Sequence, residues 1–150
     1  MPPASGILQG HEMDDEAISA FLAEQGVGVL SMAADGTPYG VPLSFGYDGD
    51  DRLYFLFAGH SEAGRKVTYA ERSETASFLV YEMAADDAWR SVVVEGSLDR
   101  ITIDDRDAAR EAMGDNAYRP ELLTNVDPRE DPRVWTIDIE TWSGRKNDPR

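Results

Sequence analysis

The pattern of apolar and polar positions predicts several short strands and few helices. Near the start of the chain, apolar residues recur at helical spacing between Ile18 and Leu22. Asp14 can cap this helix because its carboxylate accepts from the first free N–H groups, and Gly26 can end it because glycine tolerates the left-handed conformation. The sequence therefore predicts a helix from Asp14 to about Gln25.

Six apolar runs between turn residues have the length and the β-branched and aromatic content typical of strands. Asp35-Gly36 separates the first two runs and Asp48-Gly49 the next two, and an Asp-Gly pair supplies the positive-φ positions of a tight hairpin. Pro42 predicts a bulge or an edge in the second run, because proline has no N–H to donate. The predicted strands span residues 27–33, 38–47, 52–58, 75–81, 89–98 and 134–140.

The segments between the later runs predict two more helices and two connections. Helices are expected at about residues 62–72 and 106–113, an acidic loop at residues 83–88 and an irregular connection at residues 114–132. Apolar and polar side chains alternate along the last run, so one face of that strand is expected to meet water or a partner subunit. Hairpin-linked strands with few helices predict a mainly β (α+β) protein, an antiparallel barrel with flanking helices.

Length and composition restrict the class of protein further. A chain of 150 residues with 41% hydrophobic residues predicts one globular domain. It has no cysteine and only His11 and His60, which excludes thiolate chemistry and disfavours a histidine metal site, while carboxylate sites stay open. Residues 1–10 do not resemble a signal peptide, and no run reaches the roughly 20 apolar residues of a membrane helix, so a cytoplasmic protein is expected.

The charge balance is strongly acidic, with 29 Asp and Glu against 14 Lys and Arg and a net charge of -15. This composition resembles that of cytoplasmic proteins from salt-loving microbes, in which concentrated salt screens the self-repulsion. An ordinary acidic protein is the alternative. Either reading predicts that nucleic acids and anionic membranes are not partners.

The chain's two lysines lie in the same tripeptide, Gly64-Arg65-Lys66 and Gly144-Arg145-Lys146. The first copy follows a strand-like run and opens a predicted helix, where free N–H groups and the helix dipole favour an anion. We interpret this segment as a phosphate site in which Ser61 can cap the helix or donate to a phosphate oxygen. A solvated first turn is the alternative, although two cations there would be slightly unfavourable against the dipole.

The loop that begins at Gly59 nearly matches two known motifs. It has the glycine spacing of a phosphate-binding P-loop, but Arg65-Lys66-Val67 replaces the Lys-Ser/Thr ending, so the hydroxyl that anchors magnesium is missing. It also resembles a nucleophile elbow, but Ala63 replaces the second glycine and no histidine follows His60 to complete a triad. A P-loop NTPase and a serine hydrolase are both disfavoured.

Taken in order, several segments resemble the pyridoxamine-phosphate-oxidase-like, FMN-binding split barrels, especially their nitroimidazole-resistance-type branch. These segments are residues 36–45, Leu53-Tyr54-Phe55, Gly64-Arg65-Lys66, residues 89–96 and Trp142-Ser143-Gly144-Arg145. The resemblance spans residues 14–146, which leaves residues 1–13 as an N-terminal extension and residues 147–150 as a tail. It implies a six-stranded split barrel that forms a homodimer, with a flavin in each of two grooves between the subunits.

The resemblance also implies which residues hold the cofactor. The segment that begins at Val41 would follow the isoalloxazine ring and ribityl chain mainly through backbone groups, and Ser91 would come from the partner subunit. Lys66 is among the residues that would hold the phosphate. The predicted cofactor-binding residues are Val41, Pro42, Leu43, Ser44, Phe57, Ala58, Ser61, Arg65, Lys66, Ser91, Trp142 and Arg145.

The implied function is that of an FMN-dependent oxidoreductase with a small-molecule substrate. No residue is predicted to be catalytic, because the flavin itself carries the reaction. Leu56 stands where the nitroimidazole-resistance branch tends to have a histidine, so nitroreduction is not predicted. The alternatives are a deazaflavin binder, a haem binder with His60 or His11 as axial ligand, and a non-catalytic flavin-binding module.

Overall fold

The fold is built mainly from antiparallel strands. A computed structural model describes residues 10–56, 68–116 and 134–148. The strands are β1 (His11–Glu12), β2 (Val27–Ala34), β3 (Thr37–Tyr47), β4 (Arg52–Leu56), β5 (Thr75–Ala85), β6 (Ala88–Arg100) and β7 (Val134–Asn147). The helices are α1 (Asp15–Glu24) and α2 (Arg106–Asn116), with a 3-10 turn at Ile103–Asp105 and helical residues at 68–72. Among these segments no helix is long and apolar enough to cross a membrane.

Strands β2 to β7 form a closed barrel, and β1 adds a short strand alongside β7. Neighbouring strands follow the order β1-β7-β4-β3-β2-β5-β6, and β7 also pairs with β6, which joins the two ends of the sheet. All of these pairings are antiparallel. The predicted six-stranded antiparallel barrel with flanking helices is therefore confirmed.

The first helix and the first hairpin form for the predicted reasons, with one difference. The Asp14 carboxylate accepts from the Ala17 N–H at 2.8 Å and caps α1. Asp35-Gly36 supplies two positive φ angles, 53° and 78°, between β2 and β3. Gln25 is extended (φ −94°, ψ 161°), so the chain runs directly from α1 toward β2, and Gly26 does not adopt the left-handed conformation expected of it.

The expected acidic loop at residues 83–88 is wrong. Strand β5 continues to Ala85 and β6 begins at Ala88, so a tight turn at residues 86–87 joins two long strands. The acidic side chains do not prevent pairing because they are exposed, and Glu82 lies directly opposite Arg90. The structure therefore extends this hairpin beyond the predicted strand ends.

The last strand is also longer than predicted, because it reaches Asn147 rather than residue 140. Its second half pairs with β6 on one side and with β1 on the other. Gly144 is required there, because a Cβ at this position would lie 2.9 Å from Met13 Sδ and 3.0 Å from Ile18. Met13 and the pair His11–Glu12 thus add to the barrel from within the segment expected as an N-terminal extension.

The main core fills the barrel, and α1 covers one end of it. Ile18, Phe21 and Leu22 of α1 are buried against side chains that alternate inward along the strands. In the middle, the rings of Phe45 and Phe78 pack edge to face with centroids 5.0 Å apart. Because side chains alternate along each strand, every second residue lies on the outer surface of the barrel.

Helix α2 covers part of that outside. It packs over Tyr54 and Val134 in a second apolar cluster with Ile101. One face of β7 was predicted to meet water or a partner subunit, but at the start of this strand the outer face is covered by α2. Val134 and Thr136 are buried there, and the Thr136 hydroxyl donates to the Leu53 carbonyl at 2.8 Å. Farther along β7 the outer residues are exposed.

Candidate functional site

Part of the barrel's outer surface lies outside the apolar cluster beneath α2 and carries partly or fully exposed apolar residues. We call it the open face; it lies over β3, β2, β5, β6 and the second half of β7. Cross-strand pairs align its side chains in rows, since Val29 lies opposite both Pro42 and Leu79, and Leu79 lies opposite Val93. The open face consists of Val27, Val29, Pro42, Ser44, Leu79, Tyr81, Ser91, Val93 and Arg145.

A cavity of about 400 Å³ opens on this face where α1 passes into β2. Val27 and Tyr81 project beside it with 48% and 61% of their surfaces exposed. Together with Met83 they are the exposed large hydrophobic residues in the part of the chain that the structure describes. The cavity is lined by Gln25, Gly26, Val27, Gly28, Val29, Pro42 and Tyr81.

Four of the predicted cofactor-binding residues lie on the open face. Pro42 lines the cavity, and Ser44 lies opposite Val27 in the neighbouring strand. Ser91 lies opposite Arg145, and on its other side it lies opposite Tyr81. The structure therefore brings hydroxyl groups and one arginine to the same surface as the exposed apolar residues.

The side chains of three other predicted residues lie on the inner side of the strands. Leu43 is buried in the core and Val41 packs against it, so only their backbone groups are available to the outer surface. Trp142 is half-buried against the core, and its indole N–H donates to the Asp15 carboxylate at 2.8 Å. That contact ties β7 to the start of α1.

The predicted phosphate site lies outside the described residues. This applies to Phe57, Ala58, Ser61, Arg65 and Lys66, as well as to the predicted start of the helix at residue 62. Their part in a binding site stays a prediction.

The second copy of the tripeptide is described and has a different setting. Gly144, Arg145 and Lys146 lie within β7 and not at a helix end. The Arg145 guanidinium donates to the Gly10 carbonyl at 3.3 Å, and Lys146 Nζ lies 3.5 Å from the Asp148 carboxylate. This copy therefore belongs to a strand, and its two cations contact groups close to the ends of the described chain.

Arg90 connects the β5–β6 hairpin to the end of α1. Its guanidinium lies 4.5 Å from the centre of the Phe21 ring, donates to Glu82 at 2.9 Å and lies 3.5 Å from Glu24. The hydrogen bond from Arg90 lowers the pKa of Glu82 below its ordinary value of 4.5, and a hydrogen bond from Gln25 acts in the same direction. Glu82 is therefore ionised at neutral pH and connects Arg90 to a residue that lines the cavity.

Sequence reasoning did not select Gln25, Val27 or Tyr81 as site residues. One signal was present: Tyr81 continues the outward positions of β5 after Ser77 and Leu79, so it extends an outward apolar patch, and such a patch marks an interaction surface. Gln25 had no such signal, because its position in the cavity depends on how α1 joins the barrel. Within the described segments no group of three or more His, Asp or Glu side chains could hold a metal ion.

The closed six-stranded barrel, with a helix across one end, defines a split-barrel protein. The chain belongs to the pyridoxamine 5'-phosphate oxidase family, whose model matches residues 14–146. The family named from the sequence segments is thereby confirmed. A curated relative from Rhizobium meliloti (strain 1021), an uncharacterized protein, is 30% identical over 84 residues, which cover 56% of this chain and about half (52%) of that relative.

Solved structures show the same fold. A FAD-binding protein from Mesorhizobium loti is 27% identical, with a TM-score of 0.71 over 93% of this chain and 97% of that one. A putative 5-nitroimidazole antibiotic resistance protein from Bacteroides thetaiotaomicron is 16% identical, with a TM-score of 0.65 over 91% and 86% of the two chains. A FAD- and haem-binding protein from Mycobacterium smegmatis is 19% identical, with a TM-score of 0.63 over 91% and 72%.

Proposed function

We propose that this protein is a homodimeric flavin-dependent oxidoreductase that binds FMN on the open face, between two subunits. The observation that carries the proposal is the open face itself. It combines a cavity, exposed Val27 and Tyr81, and the hydroxyl groups of Ser44 and Ser91 on one surface of the sheet. A flat, partly polar ring system needs this mixture of apolar surface and edge hydrogen bonds.

The residues present fit a flavin. Val27, Val29 and Pro42 offer an apolar wall on which a planar ring can lie, and the outward backbone of β3 lies beside it. Bound flavin would supply the hydride chemistry, and the protein would supply orientation and electrostatics.

A second subunit explains the exposed hydrophobic residues. Tyr81 and Met83 have 61% and 69% of their surfaces in water in the single chain, which is unfavourable for large apolar groups. A partner subunit placed on the open face would cover them and would turn the shallow cavity into a closed groove. The Mesorhizobium loti protein, at 27% identity over nearly the whole chain, is FAD-binding, which supports a flavin as the ligand.

The phosphate of the cofactor is assigned to the segment that contains Ser61, Arg65 and Lys66. In this acidic protein those cations are a rare source of positive potential, and a phosphate at a helix start gains from both the charges and the N–H groups. Ser91 and Arg145 are assigned to the edge of the flavin. The Trp142 indole packs against the core and donates to Asp15, so we assign it to the support of β7 and not to a cofactor contact.

The test is titration of purified protein with FMN and with FAD, followed by flavin fluorescence. We expect one flavin per chain and an affinity for FMN that falls by about 10- to 100-fold in Lys66→Glu, because a charge-assisted contact is lost and repulsion is added. Arg72→Glu makes the same charge reversal at an exposed arginine that pairs with Asp35 on the surface, and it should leave the affinity unchanged. A protein that binds no flavin, or equal effects of the two substitutions, would refute the assignment.

The same titration separates the alternative cofactors. A haem-binding protein would show a Soret band that is lost in His60→Ala. The other histidine, His11, is an exposed residue of β1 opposite Lys146. A deazaflavin would bind in place of FMN with its own absorbance. Flavin that binds tightly but is not reduced by nicotinamide or deazaflavin donors would indicate a non-catalytic module.

A further inference from the structure

Strand β5 is the middle strand of the open face. The ring order places β2 and β3 on one side of it and β6 and β7 on the other. One cross-strand row shows this arrangement directly, since Leu79 of β5 lies opposite Val29 on β2 and opposite Val93 on β6. The row ends at Pro42 on β3 and at Ser143 on β7, so two strands of the open face lie on either side of Leu79.

The outward side chains in the middle of β5 carry no charge. They are Ser77, Leu79 and Tyr81, in a chain of which 29% of the residues are charged. At a two-fold axis each residue meets its own copy, so a charged residue there would meet a like charge, which is unfavourable. The centre of the open face is therefore suited to contact with a second copy of this chain.

Two charged residues lie in the same rows, to one side of this centre. Glu95 of β6 lies opposite Ser77, and Arg145 lies on β7, two strands from β5. With a two-fold axis along β5, β6 would face β2 of the other subunit, so Glu95 would face the partner subunit's Ser31, which lies in the same row as Ser77. An axis along β6 would instead bring two Glu95 carboxylates together, which is unfavourable.

The shape of the barrel explains how such a contact would form ligand sites. The outer surface of a closed barrel is convex, so two barrels that touch along β5 diverge on both sides of it. Two equivalent grooves result, each between β2 and β3 of one subunit and β6 and β7 of the other. The cavity of about 400 Å³ opens on the β2 side, where Val27, Val29 and Pro42 line it. The second subunit thereby supplies the concave surroundings that ligand sites have.

We propose that two copies of this chain pack with their two-fold axis along β5, so that Leu79 and Tyr81 meet their own copies. Each flavin groove then combines the β2–β3 half of one open face with the β6–β7 half of the other. This inference rests on the proposed function and adds which strand lies at the centre of the dimer and which halves share one site. Because Tyr81 also lines the cavity, it would connect the dimer contact to the ligand site.

Single-cysteine cross-linking of the full-length protein with FMN tests this arrangement, because the chain has no cysteine and each variant carries one thiol per subunit. The variants are Leu79→Cys at the proposed axis, and Val29→Cys and Val93→Cys one strand to either side. With a short bismaleimide, Leu79→Cys should convert largely to covalent dimer on a denaturing gel. Each off-axis variant alone should stay largely monomeric on the gel, because its two thiols would be offset by two strand spacings, about 10 Å.

An equal mixture of the two off-axis variants, after subunit exchange, should cross-link although neither does alone, since Val29 would face the partner subunit's Val93. Thr37→Cys, at an exposed residue at the start of β3, measures random collisions and should not cross-link. Thermal unfolding reports whether each barrel is intact, and Ser77→Cys, which is close in size to the residue it replaces, gives a second thiol on β5 if Leu79→Cys unfolds.

The possible results separate this inference from the proposed function. Cross-linking of Val29→Cys or Val93→Cys alone, without cross-linking on β5, would move the axis to β2 or β6 and overturn the inference. A mixture that does not cross-link would overturn the pairing of the two halves. In both cases a wild-type protein that is dimeric and binds flavin leaves the proposed function standing, whereas a wild-type protein that is monomeric or binds no flavin contradicts the proposed function itself.

Discussion

The close packing of α2 on β3 predicts that Gly46→Ala lowers the stability of the protein. A Cβ built on Gly46 would lie 2.4 Å from the Met113 backbone nitrogen and 2.6 Å from the Ala112 carbonyl carbon, whereas an ordinary contact is 3.4–4 Å. Both obstructing atoms belong to helix backbone, which cannot rotate away as a side chain can. Gly46→Ala must therefore push α2 outward by about 1 Å, the difference between these distances.

This displacement would loosen the apolar cluster beneath α2. Tyr54, Ala109 and Met113 are each no more than 1% exposed, so even a small gap removes close contacts from all of them. Overpacking of this kind costs about 1–3 kcal/mol of unfolding free energy. Gly46 is not among the positive-φ glycines, so the cost arises from the contact and not from backbone strain.

Gly40→Ala is the control, since Gly40 lies on the same outer side of the same strand. A Cβ there would have its nearest neighbours at 3.7 and 3.8 Å, which is ordinary contact. Urea unfolding followed by tryptophan fluorescence should give a change within about 0.5 kcal/mol for this variant. Equal stability of the two variants would refute the packing of α2 on β3.

Two further predictions concern the ion pairs and the open face. Partial burial alone would raise the pKa of Asp105, but hydrogen bonds from Thr102 and Arg52 lower it below 3.8 in the folded protein. Ionised Asp105 therefore stabilises the folded state fully above pH 3.8, and this contribution is lost as the pH falls through the lower pKa of the folded state. Asp105→Asn should make the unfolding free energy fall less steeply with decreasing pH, as measured by urea unfolding at a series of pH values. An unchanged dependence on pH would contradict the assignment. Tyr81→Glu should shift the protein toward monomer in sedimentation, by at least tenfold in dimer dissociation constant, because it places a charge where an apolar contact is expected. Thr37→Glu, an exposed residue at the start of β3, should not shift it, and a wild-type protein that sediments as a monomer would contradict the dimer.

The strands and turns of the barrel could be predicted from the sequence, because each depends mainly on residues that are neighbours in the chain. The apolar alternation of the strands and the turn at Asp35-Gly36 are properties of short segments, and both appear as expected. The long β5–β6 hairpin was missed because acidic residues resemble a loop in sequence. In the structure Glu82 is paired by Arg90 across the ladder, a relation that only strand register reveals.

The candidate site was predictable in part for a similar reason. Pro42, Ser44, Ser91 and Arg145 were named from motif segments, and the strand pairing brings them to one surface. Gln25 was not selected by that reasoning, because its place in the cavity wall depends on how α1 joins β2.

The position of β7 has a consequence for synthesis of the protein. This strand lies between β4 and β6 in the ring and also pairs with β1, so three other strands depend on residues 134–147 for a hydrogen-bonding neighbour. Until residues 134–147 have left the ribosome, β4 and β6 are exposed sheet edges that can pair with other nascent chains. Premature termination shortly before this point would therefore yield an aggregating fragment and not a smaller folded protein.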